Sequence, residues 1–264
     1  SGCTVSDLTL LNARDDSYAF HGNGAENVNI VRVRFSCGFL GEWQQSGLLL
    51  RDCLFERCGA YQLTSNVLLH RCRFEDGGAS SWGAEALVFL DCDFERSSLV
   101  LNAHRGPVTN GLFWGLHFHG VQGRDNGSEA FLVEAGDLRD SLIGGLRVRG
   151  SEGVGIQIYE SRATNNLFWD FVIEGGGTTG RAIWFQSTGQ HLQTGNLFQC
   201  GELHGGRVDF GRWATENVLR NVGFVSPRPG RGNQLGWHDP AWYSPQTLLK
   251  AAPGTVNRAE ACAF

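Results

Sequence analysis

The chain has 264 residues, 41% of them apolar, and its 22 basic and 27 acidic side chains leave a net charge of -5. That balance gives no electrostatic case for nucleic-acid binding, and no apolar run approaches the roughly 18 residues a membrane-spanning helix needs. Glycine is abundant at 37 and proline scarce at 6, which suits many tight corners between strands that all need their ladder hydrogen bonds.

In chain order, one short phrase returns about ten times: Asn or Gly, apolar, X, apolar, X, X, small apolar, X, Phe or Leu. It opens at Cys3-Val5-Leu8-Leu10. It continues through Val28-Ile30-Val33-Phe35, Leu48-Leu50-Cys53-Phe55, Val67-Leu69-Cys72-Phe74, Leu87-Phe89-Cys92-Phe94 and Gly111-Phe113-Leu116-Phe118. The later copies are Ser141-Ile143-Leu146-Val148, Asn166-Phe168-Phe171-Ile173, Asn196-Phe198-Gly201-Leu203 and Asn217-Leu219-Val222-Phe224. Successive copies are 25, 20, 19, 20, 24, 30, 25, 30 and 21 residues apart. A period of that size means a solenoid. Inside the phrase the spacing is two, then a jump of three, then two again. Alternation by two is a strand with one buried face, and the jump is a corner. Leucine-rich repeats and propeller blades need other signatures or longer periods. What remains is an all-β chain, a right-handed parallel β-helix of about nine or ten coils over 1–225, with one coil per repeat.

A second short strand lies between phrases, as at Tyr18–His21, Tyr61–Thr64, Leu99–Asn102, Phe131–Glu134, Ile156–Tyr159, Ile183–Gln186 and Val208–Gly211. Alternation buries Phe20, Leu63, Leu99, Leu101, Phe131, Val133, Ile156, Ile158, Ile183, Phe185, Val208 and Phe210. It turns His21, Gln62, Thr64, Asn102, Glu134, Gln157, Tyr159, Trp184, Gln186 and Asp209 outward. From Ser226 the repeat stops, and 226–264 reads as an irregular tail folded over the last coils. Within it, Ser244 and Pro245 could cap a short helix through Lys250, the one lysine of the chain. The first repeat begins at Cys3 with neither an initiating Met nor a signal peptide. The expectation is a mature product, an excised domain, or a solenoid whose cap lies in another segment.

Cys53, Cys72 and Cys92 hold the same place in three successive repeats, so they should stack as a buried, reduced ladder. No pair of cysteines has zinc spacing, and neither a metal nor a cofactor is expected. Asn27, Asn66, Asn110 and Asn165 precede strands and should occupy left-handed turn positions. Trp43, Trp82 and Trp169 should fill corners or core. Asp91 and Asp93, with Arg51, Asp52, Arg71 and Arg73, should form cross-strand pairs on a solvated face, and Asp125-Asn126-Gly127 a turn.

The stretch Ala25-Glu26-Asn27-Val28-Asn29-Ile30-Val31-Arg32-Val33-Arg34-Phe35 and its echoes resemble the right-handed β-helix repeats of the pectin-lyase-like superfamily. That superfamily includes polygalacturonases, pectate and alginate lyases, and phage tailspikes. Asp15-Asp16-Ser17-Tyr18-Ala19-Phe20 resembles the paired aspartates of polygalacturonases, but that family's Asn-Thr-Asp, Gly-His-Gly and Arg-Ile-Lys signatures are absent. The Lys/Arg pair of β-helical alginate lyases is not matched either, because Lys250 lies outside the repeats. The resemblance implies that the outer face of the second sheet floors a substrate groove.

On that face Asn102, His104, Arg105, Glu134, Gln157, Tyr159, Glu160, Trp184 and Gln186 come from adjacent coils. Trp184 could stack a sugar, and Arg105 could hold a uronate carboxylate beside Asn102, Gln157 and Gln186. Glu134, Tyr159, Glu160 or His104 could move protons. The long segments 119–139 and 174–194 could wall the groove. The expected function is a polysaccharide lyase or glycoside hydrolase acting on a polysaccharide or oligosaccharide outside the cell or in the periplasm. A non-catalytic glycan-binding or tailspike-like module, trimeric in the tailspike case, is the second class; a small-molecule isomerase or cyclase is a lesser third. Should the groove fail, Asp15, Asp16 and His21 are the next place to look.

Overall fold

The computed structural model describes residues 2–11, 18–21, 26–36, 39–41, 47–102, 106–121, 129–175, 181–187, 191–225, 249–251 and 257–263, with backbone alone at 18–21, 39–41, 175 and 249–251. Among the described residues there are strands and turns but no helix. Every strand pairing is parallel, and the strands fall into sheets of nineteen, ten and six. The chain is a right-handed parallel β-helix, as the repeat period requires.

Each phrase makes two strands of the first sheet, for example Leu48–Arg51 with Leu54–Glu56 and Val67–His70 with Arg73–Glu75. The corner between them is the three-residue jump, and its middle residue is left-handed: Arg32, Asp52, Arg71, Asp91 and Asp170 all have φ between 50° and 55°. Such a conformation strains a residue that carries a Cβ. Here stacked charges accompany it, since Arg71 Nε lies 2.7 Å from Asp52 Oδ1 on the neighbouring corner. Of the surface charges expected to pair, Arg71 meets Asp52, whereas Arg73 pairs with Glu95 at 2.7 Å and Asp93 with His117 at 3.2 Å, partners not singled out from the sequence. Asn27, Asn66, Asn110 and Asn165 are left-handed too, with φ of 53° to 56°.

Inside, residues of like kind stack coil upon coil. Phe35, Phe55, Phe74, Phe94 and Phe118 form one column with ring centroids 4.6, 4.7, 4.8 and 4.6 Å apart. Cys53, Cys72 and Cys92 are buried with free thiols, and burial pushes the Cys72 thiol well above its ordinary range. Toward the C-terminal coils Ser141, Asn166, Asn196, Asn217 and Asn257 form a polar column at the start of the phrase. Asn166 Nδ2 donates to Asn196 Oδ1 at 2.9 Å, Asn196 to Asn217 at 2.8 Å and Asn217 to Asn257 at 3.1 Å. The same amide oxygens take the backbone N–H groups of Ser141, Asn166, Asn196 and Asn217. These corners are thereby satisfied although most are wholly buried.

Two described pieces of 226–264 extend the solenoid. Leu249–Ala251 pairs with Arg207–Phe210, and Arg258–Glu260 pairs with Val218–Val225. Leu249 and Lys250 are therefore strand, where the sequence suggested the end of a short helix. The open edge of Arg207–Phe210 gives their backbone groups partners.

Candidate functional site

Strand register decides which side chains meet on the second sheet. Trp82 pairs with Asn102, Asn102 with Glu134, Glu134 with Tyr159, and Tyr159 with Gln186. All five point outward and are half-buried, so they form one straight column with a step of about 4.8 Å per coil. Glu134 and Tyr159 are neighbours in it. A parallel outward column runs through Val100, Leu132, Gln157, Trp184 and Asp209. The inward partners between the columns, Leu101, Val133, Ile158 and Phe185, are wholly buried and hold the strands in place.

Some side chains in the second column are already engaged. Gln157 is only 5% exposed and donates to Gln186 Oε1 at 3.4 Å, so it orients that amide more than it meets solvent. Asp209, 7% exposed, accepts from Arg181 Nε at 3.0 Å and lies 3.6 Å from Arg207. The Arg181 guanidinium lies 4.0 Å from the ring centroid of Trp184. One face of that indole thus carries a cation.

Alongside the first column, past the C-terminal ends of its strands, the surface falls into a cavity of about 470 Å³, lined among others by Gly106, Gly136, Asp137, Glu160, Arg162 and His191. Its origin is local. Gly106, Ala135 and Gly136 place almost no side chain at the corner between the second and third sheets, while the next coil puts Glu160 there. Glu160 is left-handed at φ 46°, like Ala135 at 47°, and accepts from Ser187 Oγ at 3.4 Å. Asp137 is ion-paired with Arg139. Nearby, burial pushes the carboxyl of Glu129 above the ordinary carboxylate range, and the negative charge of Glu134 adds to the shift.

The register therefore brings together Asn102, Glu134, Tyr159 and Gln186, with Glu160 at the cavity beside them and Gln157 and Trp184 in the next column. His104, Arg105, Trp43, Asp15, Asp16 and Asp125-Asn126-Gly127 lie outside the described residues, as does the side chain of His21. Asp137, Arg162, His191 and Glu129 were not singled out from the sequence. Glu129, Asp137 and His191 do fall in the long segments read as groove walls, which was the signal available. Trp82 and Trp169 depart from the expectation of corner or core filling. Trp82 ends the polar column, and Trp169 is 46% exposed on the first sheet, because strand alternation assigns both to outward positions. Among the described residues no group of three His, Cys, Asp or Glu is placed to hold a metal ion.

Fold and site define a parallel β-helix protein with a polar column and an adjoining cavity along one sheet. The chain matches no protein-family model and no curated protein. Among solved structures it is similar to the A-module of the Azotobacter vinelandii mannuronan C-5 epimerase AlgE4, with TM-score 0.37 and 11% identity over 88% of this chain and 90% of that one. For the A-module of the A. vinelandii mannuronan C-5 epimerase AlgE6 the TM-score is 0.34 and the identity 12%, over 92% of this chain and 75% of that one. For tailspike protein 3 of bacteriophage CBA120 they are 0.22 and 12%, over 98% and 51%. The fold stated above rests on this chain's own strand pairings.

Proposed function

We propose that this chain is a carbohydrate-active β-helix protein that cleaves a polysaccharide along the outer face of the second sheet, by lyase or hydrolase chemistry, outside the cell or in the periplasm. The observation that carries the reading is the register-aligned column Trp82–Asn102–Glu134–Tyr159–Gln186 with the carboxylate of Glu160 at its edge. An extended sugar chain needs a long, straight, shallow floor with hydrogen-bonding groups at short intervals and an aromatic face, and this column with Trp184 has that form.

In a lyase reaction on a uronate, a cation holds the carboxylate so that the adjacent carbon can lose its proton. Arg162 at the cavity, with Arg105 beyond Asn102, would be that cation. Glu134 would take the proton and the Tyr159 hydroxyl would return one to the leaving oxygen. In a hydrolase reaction two carboxyl groups about 5–10 Å apart divide the roles of acid and base. Glu134 and Glu160, on adjacent coils, would then be the pair.

A second reading, a non-catalytic glycan-binding module, is favoured by one observation: Gln157 and Asp209 are nearly buried and bonded to protein partners, so part of the floor is committed to structure.

The test is incubation with a panel of acidic and neutral polysaccharides, reading new reducing ends and the ultraviolet absorbance of unsaturated uronates. Both signals together identify a lyase, and reducing ends alone a hydrolase. Binding without either supports the second reading. Neither binding nor cleavage across the panel would overturn the carbohydrate reading.

A further inference from the structure

The cavity beside the first column is not part of a straight floor. Its lining follows the column residues in the chain: Gly106 and Pro107 come after Asn102, Ala135, Gly136 and Asp137 after Glu134, and Glu160 and Arg162 after Tyr159. It therefore opens sideways from the middle of the column, toward the third-sheet strands Asp137–Arg139 and Arg162–Thr164. Gly106 has φ 146°, a conformation that favours glycine, and a Cβ there would meet nothing within 4 Å. A sugar chain that followed the column along the solenoid axis would pass the cavity without filling it.

The walls are held in place from below. Ser161 and Gln193 are wholly buried. Ser161 Oγ accepts the Gly136 N–H at 3.1 Å and donates to the Tyr159 carbonyl at 2.6 Å. Gln193 Nε2 donates to the Ile158 and Ser161 carbonyls at 3.2 and 3.1 Å, and the Arg162 N–H donates to the Gly136 carbonyl at 2.8 Å. The turns 135–137 and 160–162 are thus tied to each other and to the column strands, so the cavity is formed before anything enters it. A pre-formed cavity of about 470 Å³ falls in the size range of small-ligand sites and leaves the ligand little ordering of the walls to drive.

We infer that the cavity takes a side branch of the polysaccharide lying on the column, so that the substrate is a branched polymer with its branch close to the reacting sugar. This rests on the groove reading above and names its substrate class. Glu134 and Tyr159 directly precede lining residues, so the branch belongs to the sugar at the chemistry or to its neighbour. The walls set acidic Asp137 and Glu160 close to basic Arg162 and His191, and Asp137 is already paired with Arg139. Such walls offer hydroxyl groups both donors and acceptors and give a single fixed charge little net attraction. The branch is therefore a short neutral sugar. Its binding energy, gained away from the reacting bond, would position that bond over Glu134 and Tyr159.

The test uses polysaccharide pairs that share a backbone and differ in single-sugar branches: galactomannan and mannan, arabinoxylan and xylan, xylogalacturonan and polygalacturonate. For each pair kcat/KM is measured, or Kd where the chain binds without cleaving. The expected result is a preference of about tenfold or more for the branched member of one pair. Ala135→Trp and Pro107→Trp, both at exposed lining positions, should fill the cavity and reduce that preference to about twofold or less, with the linear member handled as before. The two variants lie on different coils, so one still reads the cavity if the other does not fold. Equal handling of both members in every pair, a preference for the linear member, or a branched preference that survives in a folded variant would overturn the branch inference and leave the groove reading standing. A chain that neither binds nor cleaves any member would overturn both.

Discussion

Replacing Asn196 by alanine tests the polar column of the core. Asn196 is wholly buried, and its amide oxygen accepts from the backbone N–H of Asn166 at 3.2 Å and from Asn166 Nδ2 at 2.9 Å. Its Nδ2 donates to the Ala163 carbonyl at 2.9 Å and to Asn217 Oδ1 at 2.8 Å. The substitution leaves the Asn166 N–H buried without a partner, while the Ala163 carbonyl keeps its ladder bond from the Thr194 N–H and Asn217 Oδ1 keeps the Asn196 backbone N–H at 3.2 Å. One orphaned N–H at about 1–3 kcal/mol, with the lost side-chain bonds to Asn166 Nδ2 and Asn217 Oδ1 at about 0.5–1.5 kcal/mol each, puts the cost at about 2–6 kcal/mol. Asn165→Ala is the matched control. Asn165 is exposed, has φ 56° and makes a 3.3 Å side-chain bond to Asp140, so its loss should cost about 1 kcal/mol through left-handed strain. Urea denaturation followed by circular dichroism reads both as midpoint shifts, provided the slope is unchanged. If Asn196→Ala shifts the midpoint no more than Asn165→Ala, the column does not hold these corners and the reasoning fails.

Gly201→Ala should destabilise by about 1–3 kcal/mol in the same assay, because its Cβ would lie 2.2 Å from Cζ of Phe171, a buried ring with no room to yield. Thiol labelling of the native protein should modify exposed Cys3 and Cys200 quickly and Cys53, Cys72 and Cys92 only on the timescale of unfolding. Rapid labelling of all three buried thiols would contradict the stacked column.

The two strands of each phrase and the second sheet were legible because each repeats an alternation strong enough to see: Val28, Ile30, Val33 and Phe35 are all buried, as are Leu99, Leu101, Phe131 and Val133. Other strands were not legible. Gly78–Trp82 belongs to the second sheet, yet its inward residues are Ala79 and Ser81, which carry no hydrophobic signal. The third sheet consists of pieces such as Ala84–Glu85, Val108–Thr109 and Gln193–Thr194, too short to show a period. The asparagine column was visible as the first letter of three phrases, but the sequence pointed instead to the neighbouring turn asparagines, which are left-handed as expected. For the site, alternation found the outward column and its order. It could not find the cavity, which comes from small residues at one corner and from His191 approaching out of a long connecting segment.

The central claim is that chemistry happens on the outward column at Glu134 and Tyr159, and it is tested most directly by Glu134→Gln and Tyr159→Phe on whichever polysaccharide the panel identifies. Both side chains point outward and are half-buried, so both variants should keep the melting temperature of the wild type within a few degrees. Loss of a proton-transfer group should lower kcat by about 100-fold or more in each. Turnover retained by both variants at the wild-type rate would place the chemistry elsewhere on the chain.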